Sequence, residues 1–273
     1  MMFGIIVVSL NPGDKLVGTI DSIRKQTFTD YHVLVKDGGS KDDSLKKLQE
    51  YLANDEAMKE RVQIVEERDK SIYDGMNQAA RKASGEYFYF LNCGDHFAHE
   101  NSLREMAEGI RAHKQNGGDS LIFYGDIFDV LRSQVVPSNP KIDDFACYRN
   151  VPCHQSCVYH RSLFEERGYR PEFKVRADYE HFLWSYFCKD AKPQYIKVTL
   201  AEYEGGGFSE TKENRIRSEK EHREITDIYM GKGQLLKYKM IMLLTLAPLR
   251  TKMAESPAMA GVYNFVKKLL YRR

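Results

Sequence analysis

Four short segments of this 273-residue chain hold most of the side chains that can do chemistry. They are Ser9-Leu10-Asn11-Pro12-Gly13, Lys36-Asp37-Gly38-Gly39-Ser40, Glu66-Glu67-Arg68-Asp69-Lys70 and Asn92-Cys93-Gly94-Asp95-His96. Carboxylates, amides and ammonium groups in such clusters accept hydrogen bonds from ligand hydroxyls or N–H groups, hold hard cations through oxygen, and carry protons. Each cluster directly follows a short apolar or aromatic run, at residues 3–10, 31–35, 62–65 and 86–91.

Those runs are the elements that must position the clusters. Leu16, Thr19, Ile20 and Ile23 fall at helical spacing, as do Leu45, Leu48 and Leu52, and residues 71–83 form a third helical stretch before the run at 86–91. The order is βαβα, which predicts a mainly parallel sheet with crossover helices. Ligands of such sheets bind beyond the carboxyl ends of the strands, where the four polar clusters fall. Further on, residues 120–124 and 127–136 read as strands and 161–167 and 177–188 as helices. Residues 137–151, with Pro137, Pro140 and the neighbouring Pro152, read as the longest irregular stretch.

The first turn lacks GxGxxG and no GxxxxGK[ST] occurs, so a dinucleotide-binding domain and a P-loop NTPase lose support. A nucleotidyltransferase would need a Gly-rich, Arg-bearing first loop, which residues 9–13 do not supply. The clusters instead resemble the sugar-nucleotide half of the family 2 glycosyltransferases: Asp37-Gly38-Gly39-Ser40, the run from Glu67 through Asn77, and Phe90-Leu91-Asn92-Cys93-Gly94-Asp95. His154-Gln155-Ser156 and Ala177-Asp178-Tyr179-Glu180 are similar to that family's acceptor-side segments. The resemblance spans roughly residues 3–205, with five motifs in order and register, and it implies a GT-A fold: a Rossmann-like, mainly parallel sheet flanked by helices.

By this resemblance Asn11, Asp37, Asp69, Lys70, Asp74, Asn77, Asn92, His154 and Gln155 bind the nucleotide sugar. Asp37 can accept from a base N–H or a ribose hydroxyl, or it can simply shape the Gly38-Gly39 turn. Asp69 can contact the nucleotide or cap the following helix. Asp74 and Asn77 lie one helical turn apart on one face, and Lys70 can meet the diphosphate. Asn92-Cys93-Gly94-Asp95 stands where the family has an aspartate-rich motif for Mg²⁺ or Mn²⁺. Asn92 and Gly94 replace carboxylates there, leaving Asp95 as the charged ligand beside phosphates and water. Asp178 matches the family's catalytic base, with a helix N-cap as its bland alternative. Glu180, the runner-up, points about 200° away on the same helix.

Five cysteines, odd in number and without a CxxC pair, argue against a disulfide framework or a zinc ribbon and fit a reducing cytoplasm. His154, Cys153, Cys157 and His160 match no standard zinc spacing. His154 then faces the sugar or metal, or is a satisfied structural histidine, and 155–159 reads as a strand burying Cys157. The apolar start at residues 1–8 is too short for a signal sequence and has no preceding positive charge, so it reads as the first strand.

The net charge of +2 conceals a polarity. From Gly231 onward nine basic residues face one acid, Glu255, a net of +8, which leaves −6 for residues 1–230. Residues 240–249 form an uncharged core flanked by cations, too short to span a bilayer. Val262, Phe265, Val266, Leu269 and Leu270 form an amphipathic stripe ending in cations. Two such stretches suit an anionic membrane surface, and they equally fit a helical pair packed on the body or in a homodimer interface. The acidic body argues against nucleic acid as partner.

The expected organisation is a glycosyltransferase domain at 1–230, with a nucleotide-sugar half at 1–118 and an acceptor half at 119–230, then an amphipathic basic tail at 231–273. The expected activity is inverting, metal-assisted transfer from a nucleoside-diphosphate sugar to a hydroxyl of a lipid-linked saccharide. It would occur on the inner membrane face, in bacterial surface polysaccharide synthesis. The thinned metal motif keeps a second reading open, a catalytically silent sugar-nucleotide-binding or scaffold subunit.

Overall fold

A computed structural model of the chain describes residues 1–205 and 211–245. The chain clusters into two compact units, Met1–Arg223 and Glu224–Arg273.

In the first unit, strands β1 (Phe3–Ser9), β2 (Tyr31–Asp37), β3 (Val62–Glu66) and β4 (Tyr87–Phe90) run parallel in the spatial order β3-β2-β1-β4. The βαβα alternation predicts this arrangement. Beyond β4 the sheet continues through β8 (Cys157–His160), β6 (Ile122–Asp129), β9 (Gln194–Tyr203) and β5 (His96–Phe97), with β7 (Gln134–Val136) paired on β6. β8 is antiparallel to both its neighbours, while β6 and β9 are parallel.

Phe3, Ile5 and Val7 of β1 and Val33 and Val35 of β2 are buried with Leu16, Ile20 and Ile23 of α1 (Lys15–Arg24) and Leu48 and Leu52 of α2 (Ser44–Ala53) in one core. The pairing register sets Ser9 opposite Asp37 and Asp37 opposite Glu66, so the three strands end level with one another. The polar clusters therefore emerge along one edge. After the short α3 (Glu56–Arg61) and β3, α4 (Ile72–Ala80) begins at Ser71, whose hydroxyl accepts from the Asp74 N–H at 3.2 Å as an N-cap.

Three local expectations are corrected. The break between the two strands expected at 120–124 and 127–136 falls later in the chain: β6 runs uninterrupted from 122 to 129, and a turn at 130–133 separates it from β7. Asp129 makes that turn by accepting from the Arg132 N–H at 3.0 Å. The stretch 137–151 is not irregular throughout, because Asp143 accepts from the Ala146 N–H at 2.8 Å and starts α6 (Asp144–Arg149). His154–Ser156 is a 3-10 turn rather than strand, with β8 starting at Cys157. Five elements were not anticipated: α3, β5, α5 (Ser102–Gln115), β9 and α9 (Lys212–Tyr229). α7 (Ser162–Glu166) and α8 (Ala177–Lys189) fall on the expected helical stretches.

In the second unit α10 (Lys232–Leu244) carries a stripe of exposed apolar residues, Leu236, Met240, Leu243 and Leu244, beside exposed Lys237 and Lys239. The expected stripe at 262–270 lies outside the described residues. No helix among the described residues is long and apolar enough to cross a membrane.

Candidate functional site

The turns after β1 and β2 are built as one piece. Asn11, in the left-handed region at φ 48°, accepts from the Lys41 N–H at 2.8 Å, while its own N–H donates to Ser40 Oγ at 2.7 Å. Asp37 is fully buried. Its Oδ1 accepts from the N–H groups of Gly39 and Ser40 at 2.8 and 2.7 Å, and its Oδ2 accepts from the hydroxyls of Ser40 and Ser9 at 2.5 and 3.2 Å. The carboxylate thus shapes its own turn.

Asp69 is not a helix cap, since Ser71 holds that position. Its carboxylate pairs instead with the fully buried Lys36 ammonium at the end of β2. Space around this pair is tight: a Cβ on Gly75 would lie 3.0 Å from Asp69 Oδ2 and 3.6 Å from Lys36 Nζ. Asp74 accepts from the Lys70 N–H at 2.9 Å and from Gln78 Nε2 at 3.3 Å, and the Lys70 side chain is exposed. Both ends of the Asn77 amide bond the Tyr169 backbone, at 2.7 and 2.8 Å, tying α4 to the segment before α8.

Beyond β4 lies a solvent-open cleft of about 610 Å³. Asn92, Asp95, His154, Gln155 and Asp178 all line it; Asn11, Asp37, Asp69, Lys70, Asp74 and Asn77 do not. Gly94, at φ 106°, lets the loop turn so that Asp95 is buried at 6% exposure. Asp95 Oδ2 accepts from Gln155 Nε2 at 3.0 Å, and Oδ1 accepts from the Glu204 N–H at 3.1 Å. Burial pushes the Asp95 carboxyl above its usual range, against those two hydrogen bonds. The Lys15 ammonium, at the start of α1, meets Glu204 Oε2 at 2.6 Å on the rim.

Two polar side chains of this cleft lack a partner among the described residues: Asn92 Oδ1 and both ring nitrogens of His154. His154 packs on Phe90 and Tyr169 at centroid separations of 5.4 and 6.0 Å, and burial lowers its pKa, so the ring is neutral near pH 7. A buried, unpartnered amide oxygen beside a carboxylate suits a hard cation. Among the described residues no group of three or more His, Cys, Asp or Glu gathers to hold a metal by itself, so a cation here would take further oxygens from substrate and water.

Asp178 stands in the first turn of α8, one residue past the helix start Ala177 and two past Arg176, which holds the N-cap position. Its Oδ1 accepts from the Tyr73 hydroxyl at 2.8 Å, and the same hydroxyl bonds Val175 O at 2.9 Å. Burial, then the nearby Asp178 charge, raises the Tyr73 phenol well above its usual range, so it remains a donor at any working pH. From α9, Glu221 accepts from the N–H groups of Lys174, Val175 and Arg176, all at 2.9 Å. The segment entering α8 is therefore clamped through its N–H groups by Glu221 and through its carbonyl by Tyr73. Glu180 is fully buried and forks onto Arg167 at 2.8 and 3.1 Å, away from the cleft wall.

Tyr73, Glu204, Lys15, Arg176, Arg215 and Glu221 thus belong to the site or its support without a motif to announce them. Tyr73 lies inside the segment 67–77, adjacent to a residue already singled out. Glu221 acts 45 to 47 positions away in sequence, and no local pattern encodes that pairing.

Residues 4–168 match the family described as glycosyl transferase family 2. The chain is 30% identical over 213 residues to a PGL/p-HBAD biosynthesis glycosyltransferase of Mycobacterium bovis, covering 77% of this chain and 80% of that relative. Its fold is similar to S. aureus TarS 1–349 in complex with UDP-GlcNAc, with a TM-score of 0.65, 18% identity and coverage of 85% and 69% of the two chains. Against the longer TarS chain it spans 37% of that length. It is also similar to the mannosyltransferase PcManGT of Pyrobaculum calidifontis in complex with GDP-Man and Mn²⁺, with a TM-score of 0.63, 17% identity and coverage of 98% and 80%.

Proposed function

The chain belongs to glycosyl transferase family 2 and has the GT-A fold, and from that premise we propose that it transfers a sugar with inversion from a nucleoside-diphosphate donor, with Asp178 as base. The observation that carries this reading is the convergence of Asp95, Gln155, His154 and Asp178 on one cleft at the ends of the strands. The donor's nucleoside lies over the turns after β1, β2 and β3, beside Asn11, Asp37, Asp69, Lys70, Asp74 and Asn77, and its diphosphate lies toward Asn92 and Asp95. UDP-GlcNAc in TarS and GDP-Man in PcManGT support that donor class.

Asp178 takes the proton of the acceptor hydroxyl as that oxygen attacks the anomeric carbon. The new C–O bond forms while the bond to the diphosphate breaks, and the nucleoside diphosphate leaves with the electron pair. Tyr73 and Glu221 hold the carboxylate in place, and positioning of this kind lowers the barrier without contact to substrate. Asp95 and Asn92 would hold Mg²⁺ or Mn²⁺, which when bound neutralises charge on the leaving diphosphate.

The acceptor is a lipid-linked saccharide in surface polysaccharide synthesis, reached by an enzyme resting on an anionic leaflet. The exposed apolar stripe of α10 with its lysines, and the +8 of residues 231–273, support this location. The test is incubation with UDP-, GDP- and dTDP-sugars in the presence of Mn²⁺. Release of free nucleoside diphosphate from at least one donor is expected, and no release from any donor would overturn the reading.

A further inference from the structure

Two guanidinium groups border the cleft with no carboxylate partner among the described residues. Arg176 donates from Nε to Ser218 Oγ at 2.6 Å and from Nη1 to Asn150 Oδ1 at 3.4 Å, and it lies 5.4 Å above the Tyr179 ring, so its side-chain partners are neutral. The guanidinium of Arg215, exposed on α9, makes no hydrogen bond or ion pair with the described residues; only its backbone N–H is engaged, with Thr211 O at 2.9 Å. Arg215 and Ser218 are three residues apart on one helix, which sets their Cβ atoms about 5–6 Å apart on one face. Ser218 therefore brings the two guanidiniums to the same wall. The cleft's carboxylates are engaged elsewhere: Glu204 with Lys15, Asp95 with Gln155 and a backbone N–H, Asp178 with Tyr73.

We propose that Arg176 and Arg215 form an oxyanion site for a phosphoryl group carried by the acceptor. Planar guanidinium forks match phosphate oxygens bidentately, and two cations without a counter-ion repel until an anion joins them. The site adjoins Asp178, two residues after Arg176. In an inverting displacement the nucleophile and the leaving diphosphate stand on opposite sides of the anomeric carbon, so an anion bound beside the base belongs to the acceptor. This step rests on the donor and base assignments above. The ligand is a phosphate monoester or diester, on a soluble saccharide or on a lipid carrier.

The full-length protein, saturated with UDP and Mg²⁺, is titrated with inorganic phosphate and separately with dihexanoyl phosphatidic acid, and binding is read from ³¹P line broadening. Wild type binds both phosphates while UDP stays bound. Tighter binding of the lipid phosphate assigns the lipid-borne source, and equal affinities assign the soluble one. Arg215→Gln weakens phosphate about tenfold, the scale of one lost charge-assisted hydrogen bond, while changing UDP affinity less than twofold. Lys25→Gln, a surface change on the residue after α1 and outside the cleft, weakens neither. Displacement of phosphate by UDP, an equal loss of UDP affinity in Arg215→Gln, or undiminished phosphate binding in that variant each overturns the proposal. Failure of UDP to bind counts against the donor assignment, and the phosphate titration of the UDP-free protein still reads the arginine pair.

Discussion

The Tyr73 hydroxyl, in the first turn of α4, donates a 2.8 Å hydrogen bond to Oδ1 of Asp178, 105 residues further along the chain. One phenol thus links the helix that follows β3 to the carboxylate assigned as base. Because the same hydroxyl also holds Val175 O at 2.9 Å, it fixes both the side chain and the backbone approaching it.

Tyr73→Phe keeps the ring packing on Tyr169 and removes only that donor. Transfer should fall about tenfold, the scale of one hydrogen bond to a charged group, with nucleotide affinity unchanged. Steady-state kinetics with a UDP titration check this; full activity would show that Asp178 needs no such support.

Glu221→Gln places an amide NH₂ among three backbone N–H donors that now share one carboxylate. A cost of roughly 1–3 kcal/mol in stability follows from the orphaned groups. Denaturant unfolding measures it, and a change below about 0.5 kcal/mol, the scale of an ordinary surface substitution, would contradict the clamp.

Burial lowers His181 to about 3 and His222 to about 4. The unfolded chain takes up these protons near pH 6.5 whereas the native rings refuse them. Their contribution is therefore complete above pH 6.5 and is lost as the pH falls toward the native values, by up to about 1.4 kcal/mol per pH unit for each ring. Thermal unfolding between pH 7 and 5 should show falling stability, and His181→Phe should remove about one proton from the slope. An unchanged slope would place that ring in contact with solvent.

Asp95→Ala should weaken UDP binding in the presence of Mn²⁺ about tenfold and leave metal-free binding as it was, since the carboxylate would act through the cation. Calorimetric titration with and without Mn²⁺ separates the cases. Equal wild-type affinity under both conditions would count against a cation at this loop.

Leu243→Glu and Leu236→Glu together place two charges in the exposed stripe of α10. Sedimentation with anionic vesicles should show the wild type bound and the double variant released, because the apolar contact and the basic attraction are both reduced. Equal binding would locate any membrane contact elsewhere.

The parallel half of the fold was legible because its strands read as short apolar runs, each closed by a polar cluster; β1, β2 and β4 are buried on both faces, while β3 at the edge is only half-buried. β9 carries its own period-two signal, with Ile196, Val198 and Leu200 alternating with Lys197 and Thr199. α6 hid between prolines, and only the Asp143 cap betrays it. In the site, the family resemblance pointed to Asn92, Asp95, His154, Gln155 and Asp178, which the cleft brings together. It could not show that Asp37 turns its oxygens onto its own loop, or that Asn77 splints the Tyr169 backbone. Those outcomes depend on which neighbour arrives first in three dimensions, as does the reach of Glu221 to the start of α8.

The most direct test of the account is the rate of nucleoside diphosphate release by Asp178→Asn, on the donor that wild type turns over best, with Mn²⁺ and an acceptor present. The amide keeps the shape of the carboxylate and can still accept from Tyr73, so nucleotide affinity should remain near wild type. Loss of the general base should lower transfer by roughly 10²–10⁴-fold. Wild-type turnover by this variant would contradict the assignment of Asp178 as the base.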